Sequence, residues 1–188
     1  MSRLLILPVV LLAAACGAPS TDSDAGADGG ANADAGTDAG SSLTAEQQEW
    51  LTAHDAVRLT AMPTPVPALP TTHWSTTAAS LAADWAARCN FMHRNPNTLG
   101  ENLFASTSAM TPTAIVDDWA SEKANYTYST NTCAGVCGHY TQIVWRGSTG
   151  IGCVTQSCTT GSPFGSGPWS FTVCDYEPAG NINGRQPY

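Results

Sequence analysis

Gly138-His-Tyr-Thr-Gln-Ile-Val-Trp-Arg146 is dense in β-branched and aromatic residues, and Gly150 to Thr155 and Trp169 to Tyr176 read the same way. That composition predicts strands, with His139 opening the first of them and its side chain free to point into a cleft. Gly147 to Gly150 then supplies a hairpin turn. Thr159 to Pro168, rich in Gly, Ser and Pro, is a longer loop between the last two strands. Upstream the apolar period is 3.6 instead of 2. Thr44, three residues before Gln47, forms a capping-box signature. Trp50, His54 and Val57 recur at helical spacing, so a first helix is expected from Ala45 to Leu59. Four prolines between Met62 and Pro70 end it. A second helix fits Ala78 to Arg88, with Ala78, Leu81, Ala82 and Trp85 on one face. Thr111-Pro112, a cap and a first-turn proline, opens a third that runs to Lys123 and aligns Ile115, Val116, Trp119 and Glu122. Helices first and antiparallel strands afterwards give an α+β domain.

The domain starts at Leu43. Before it, Arg3, the apolar run Leu4 to Leu12 and Ala13-Ala14-Ala15 follow the order of a secretory signal, and the run is too short to span a bilayer. Cys16 after Leu-Ala-Ala-Ala resembles the lipobox of bacterial lipoproteins, which implies a diacylated Cys16 as mature N-terminus. The alternative is a plain signal cleaved near Ala15 or Ala18. Of seven cysteines, removing Cys16 leaves an even set of six, the expectation for a disulfide framework in a secreted chain. Gly17 to Ser42 holds five aspartates and no large apolar side chain, so it is a disordered acidic tether with a reach of roughly 28 Å. The three segments are thus 1–15, 16–42 and 43–188. From residue 43 onward ten acidic side chains face six scattered basic ones, a net of −4 that offers no stripe for phosphates and excludes nucleic acid.

Gly138-His-Tyr-Thr-Gln-Ile-Val-Trp-Arg146, Cys174-Asp-Tyr-Glu-Pro-Ala-Gly-Asn181, Gly100-Glu-Asn-Leu103 and His54-Asp-Ala-Val-Arg58 occur together and in order over Leu43 to Tyr188. In this the chain resembles the CAP superfamily (cysteine-rich secretory proteins, antigen 5, pathogenesis-related 1), and its plant pathogenesis-related 1 branch in particular. The resemblance implies an α-β-α sandwich with a central antiparallel sheet. It implies the disulfides Cys89–Cys158, Cys133–Cys137 and Cys153–Cys174. It also implies a cleft lined by His54, Glu101, Glu122 and His139, and His93 is read as structural. Asp55 in place of the usual Asn, the short Cys133–Cys137 loop and the proline-rich segment depart from the family pattern.

Two imidazoles and two carboxylates that converge hold Zn²⁺ or a similar divalent ion weakly. The same four groups equally make two hydrogen-bonded Glu–His braces. The leading functional reading is a monomeric, surface-anchored module that binds a lipid, sterol or protein partner, and Trp169 is its candidate exposed contact. A hydrolase is the runner-up, with Thr141 or Ser106 as nucleophile beside one of the histidines. A structural envelope protein with a vestigial cleft is the third. The location is extracytoplasmic, anchored through Cys16. Because Gly17 and not Asp follows Cys16, the outer membrane is expected.

Overall fold

A computed structural model describes residues 42–188, so the signal, Cys16 and all but the end of the tether lie outside the described residues. Thr44 caps α1, Ala45–Leu59, with the full capping box to Gln47. Ser75 caps α2, Thr76–Ala86, two residues earlier at both ends than its apolar face suggested. Thr111 caps α3, Pro112–Ser121, and a 3₁₀ turn over Glu122–Asn125 continues it.

The sheet contains β1 (His73–Trp74), β2 (Gly100–Ser106), β5 (Gly150–Cys158) and β6 (Trp169–Glu177) in the order β1-β5-β6-β2. Its pairing is antiparallel except for β1, which runs parallel to β5. The short strands β3 (Tyr126–Thr127) and β4 (Thr132–Cys133) form a separate ribbon.

Alternation along β5 and β6 divides the core into two layers. Ile151, Cys153, Cys174 and Tyr176 pack with Trp50, Ile115, Val116 and Trp119 of α1 and α3. Trp169, Phe171 and Val173 point the other way and pack with Ala82 and Ala86 of α2 and with Leu103. The result is a sheet between helical layers, as the CAP resemblance implied. Disulfides join Cys89 to Cys158, Cys133 to Cys137 and Cys153 to Cys174. Both core layers and all three bridges fall within residues 42–188.

Three expectations need correction. The stretch read as a strand from His139 to Trp145 is a helix, α4, Gly138–Ile143. Every residue from Tyr140 to Trp145 is buried, with Tyr140, Ile143 and Val144 in the core beside α1 and α3, and this packing outweighs the β propensity of the individual residues. Gly147 to Gly150 accordingly joins α4 to β5 and is not a hairpin turn. Trp169 is not an exposed contact: it opens β6 opposite Cys158, is 3 % exposed, and donates its Nε1–H to Thr160 O at 2.8 Å. Strand β2 carried no alternation signal, because polar Glu101 and Asn102 are neighbours at its start.

Candidate functional site

The four residues expected to converge are distributed over three environments. His54 lies fully buried on α1. Its Nδ1 is 2.7 Å from Trp50 O, so Nδ1 carries the proton and donates, and Nε2 accepts from the Tyr176 hydroxyl at 2.9 Å. Asn102 Nδ2 in turn donates to Tyr176 Oη and to His139 O, both at 3.1 Å. Both ring nitrogens of His54 are therefore committed, and no lone pair remains for a metal. His54 braces α1 against β6, and α4 joins the same network through Asn102.

Glu122 and His139 do meet. His139 Nδ1 lies 2.6 Å from Glu122 Oε1, while Glu122 Oε2 accepts the backbone N–H of His139 at 2.9 Å. The carboxylate thus caps the start of α4 and also orients the imidazole. The ring lies against Trp119 at 5.8 Å between centroids, with 24° between the planes. With Nδ1–H donated, Nε2 keeps its lone pair.

Glu101 sits elsewhere on the sheet. Its alternation on β2 places it on the α2 side, paired in register with Asp175. There Glu101 Oε1 lies 2.8 Å from His93 Nδ1 and accepts the Arg94 N–H at 2.9 Å. The glutamate holds the His93 pKa above its ordinary value. His93, set aside as structural, is thus the histidine that partners Glu101, and its side chain is 64 % exposed. The signal that could have found it is its position in the segment leading into Gly100-Glu-Asn-Leu103. Two Glu–His pairs therefore flank the edge strand β2, each with Nδ1 engaged. In each pair Nε2 is the ring nitrogen that the glutamate does not engage. Among the described residues no cluster of three or more His, Cys, Asp or Glu is placed to hold a metal by itself.

Beside His139 opens a cleft of about 280 Å³ lined by Phe91, Phe104, Trp119, Phe164, Glu122 and His139, among others. The Thr159–Pro168 loop supplies one wall through Pro163 and Phe164. The two hydroxyls considered as nucleophiles are engaged elsewhere. Thr141 Oγ1 lies 3.1 Å from Cys137 O and 2.8 Å from Asn181 Oδ1, and Ser106 Oγ accepts the Ser108 N–H at 3.0 Å.

A family model described as the cysteine-rich secretory protein family, CAP, matches residues 51–176. The chain belongs to the CAP family. It is 38% identical over 147 residues to pathogenesis-related protein 1 of Arabidopsis thaliana, covering 76% of this chain and 82% of that protein. It is 38% identical over 148 residues to the PR-1 type protein of Sambucus nigra, covering 75% and 81%. Among solved structures, venom allergen-like protein 4 of Schistosoma mansoni superposes with a TM-score of 0.62 at 26% identity, covering 78% of this chain and 95% of that one. NaASP2, solved with Zn²⁺, superposes at 0.58 and 25% identity, covering 76% and 84%.

Two buried groups of this CAP domain titrate in opposition. Burial lowers the His54 pKa from 6.5 to about 4, so the folded state resists a proton that the unfolded chain accepts. That stability is full above pH 6.5 and is lost as pH falls toward 4, at a cost of about 3 kcal/mol. Burial raises Asp175 from 3.8 to about 6 despite Arg94 Nη2 at 2.7 Å. Its folded state favours the proton, so its contribution is present at low pH and is lost as pH rises through 6, again by about 3 kcal/mol. The two nearly cancel between pH 6.5 and 4. Asp175→Asn is expected to unmask His54, so that unfolding free energy falls by about 3 kcal/mol more between pH 7 and pH 4 than in the wild type. Urea titrations at the two pH values read it, and equal changes in the two proteins would show that Asp175 does not favour its proton in the folded state, since His54 is common to both.

Proposed function

We propose that this CAP domain is a secreted, lipid-anchored binding module whose ligand seat is the aromatic-walled cleft beside His139. The observation that carries the reading is the cleft itself, in which apolar walls from Phe91, Phe104, Trp119 and Phe164 end at an oriented imidazole. Such a surface takes an apolar ligand with one polar end, a sterol or a fatty acyl chain, with the imidazole–carboxylate pair fixing its orientation. The family's secretory character and the signal-like start of the chain support an extracytoplasmic location. Among the described residues no helix is long and apolar enough to cross a membrane. The engaged hydroxyls of Thr141 and Ser106 favour binding over hydrolysis. For the metal, His93 Nε2 and His139 Nε2 are the proposed ligands, and a solved structural relative with Zn²⁺ supports the choice of ion.

Calorimetric titration of Zn²⁺ into residues 42–188 tests the metal part. One-site heat is expected in the wild type and is lost in both His93→Ala and His139→Ala. Heat that survives both substitutions would place any metal elsewhere. Tryptophan fluorescence titrated with a sterol and with a fatty acid tests the seat. Saturable quenching is expected, weakened about tenfold in Phe164→Ser by loss of one aromatic wall that the ligand would cover. Unchanged binding in that variant would move the ligand to another surface.

A further inference from the structure

The two most exposed large apolar side chains of the domain, Leu59 and Val66, lie with Met62 in one short segment that the cleft does not use. Leu59 ends α1 at 83 % exposure, and Met62 and Val66 follow it at 60 % and 89 %. Leu59 also lines a groove of about 440 Å³ with Ala56, Pro65, Leu69 and Pro70, which Asp55 and Arg58 line as well. Isolated exposed apolar residues need no explanation. A run of them over an apolar groove marks a surface that meets something.

Charge narrows what that something is. Although the domain is acidic, two cations hold this segment from either side. Lys123 Nζ donates to Thr60 O at 3.0 Å, and Arg146 donates through Nη1 to Ala68 O at 3.2 Å and through Nη2 to Pro67 O at 2.8 Å. Among the described residues neither has a carboxylate within ion-pair distance. Of the nearby acids, Asp55 accepts the N–H and hydroxyl of Thr72, and Asp117 lines the neighbouring hollow with Lys123. Arg58, the third cation here, is buried and donates to Pro70 O, Ile143 O and Trp145 O, so the base of the segment is fixed to α4. An apolar tip on a fixed base, flanked by unpaired cations, has the composition of an interfacial anchor.

We propose that the face formed by Leu59, Met62 and Val66, with Lys123 and Arg146 beside it, docks on an anionic phospholipid surface. The role of this contact for the whole chain rests on the lipid-anchor reading. Docking holds the domain in one orientation on that surface. The apolar side chains enter the headgroup boundary while the two cations meet lipid phosphates, so binding weakens with salt.

The test uses residues 42–188, which contain both core layers and every disulfide and carry no Cys16, so its result is independent of acylation. Co-sedimentation is measured with vesicles of phosphatidylcholine alone and of phosphatidylcholine mixed equally with phosphatidylglycerol, at low and high salt. The wild type is expected to pellet with the anionic vesicles at low salt. Val66→Asp is expected to lower the partition about tenfold, the loss expected from one apolar side chain kept from burial. Lys123→Gln is expected to flatten the salt dependence. Unchanged melting of each variant by circular dichroism assigns the losses to the surface. Absence of wild-type binding, or equal binding by Val66→Asp, overturns the proposal. A dimer in sedimentation velocity that Val66→Asp abolishes also overturns it, by assigning the face to a second copy of the chain. Zn²⁺ and sterol titrations of Val66→Asp are expected to match the wild type, so failure here and failure of the cleft reading are distinguishable.

Discussion

Gly152→Ala is expected to destabilise the domain by at least about 3 kcal/mol, although it adds a single methyl group. Gly152 lies on β5 where α2 crosses closest to the sheet. A Cβ built there would fall 1.9 Å from Ala79 N and 2.5 Å from Ala78 C and Ala79 Cα. These are backbone atoms of the first turn of α2, so no rotamer change relieves the overlap. The helix must lift, and with it go the contacts of Ala82 and Ala86 with Phe171 and Val173. For a domain of this size the loss corresponds to a fall in Tm of roughly 6–12 °C. Gly147→Ala is the matched control, since its Cβ would meet nothing nearer than 3.9 Å, at the Trp145 ring. Thermal unfolding followed by circular dichroism checks both. Equal melting of the two variants would mean that α2 can shift without cost and that the helix–sheet distance is not fixed at Gly152.

The same contact shows what a sequence discloses and what it hides. The caps of α1 and α3 were legible because Thr44, Gln47, Thr111 and Pro112 act on atoms within one turn. Strands β5 and β6 were legible because their β-branched and aromatic residues supply the two apolar layers. Gly152 reads as an ordinary strand glycine, and only the third dimension reveals the helix backbone against it. Strand β2 was hidden for a related reason. Its polar start is buried, and Glu101 and Asn102 find partners on opposite faces of the sheet, Arg94 and Tyr176 respectively. The α4 segment misled because its residues favour strands singly, while the Glu122 carboxylate binding the amides of His139 and Tyr140 favours a helix start.

The site was legible in its residue types and not in its pairing. Glu122 and His139 were named, and they meet. His54 drew notice because a polar residue on an apolar face requires a partner, and the partners it found were Trp50 O and the Tyr176 hydroxyl, 122 residues away. His93 reads as structural by residue type alone, and only its place ahead of Gly100-Glu-Asn-Leu103 hints at the strand glutamate it meets. Pairing of this kind is a property of the fold around β2.

Removing the bridge between Cys89 and Cys158 is expected to cost about 4 kcal/mol, more than removing either of the other two. The bridge closes a loop with a sequence separation of 69, against 21 for Cys153–Cys174 and 4 for Cys133–Cys137. Loop-closure entropy in the unfolded chain then ranks them at about 4, 3 and 2 kcal/mol. The folded state strengthens the ranking. Cys153 and Cys174 already face each other across the β5–β6 ladder, so the ladder holds them together without the bond. Cys89 and Cys158 instead join the end of α2 to the end of β5, and the fully buried side chains of α2 are small, Ala78, Ala82 and Ala86, with Trp85 packed only in part. Alanine contributes little apolar area, so the attachment of this layer depends on close approach at Gly152 and on the staple. Urea denaturation of the three double Cys→Ala variants orders the costs. A steeper m value in Cys89→Ala/Cys158→Ala is expected as well, because the freed unfolded chain exposes more surface. If Cys133→Ala/Cys137→Ala cost the most instead, the loop before α4, and with it the seat of His139, would be the weakest part of the domain.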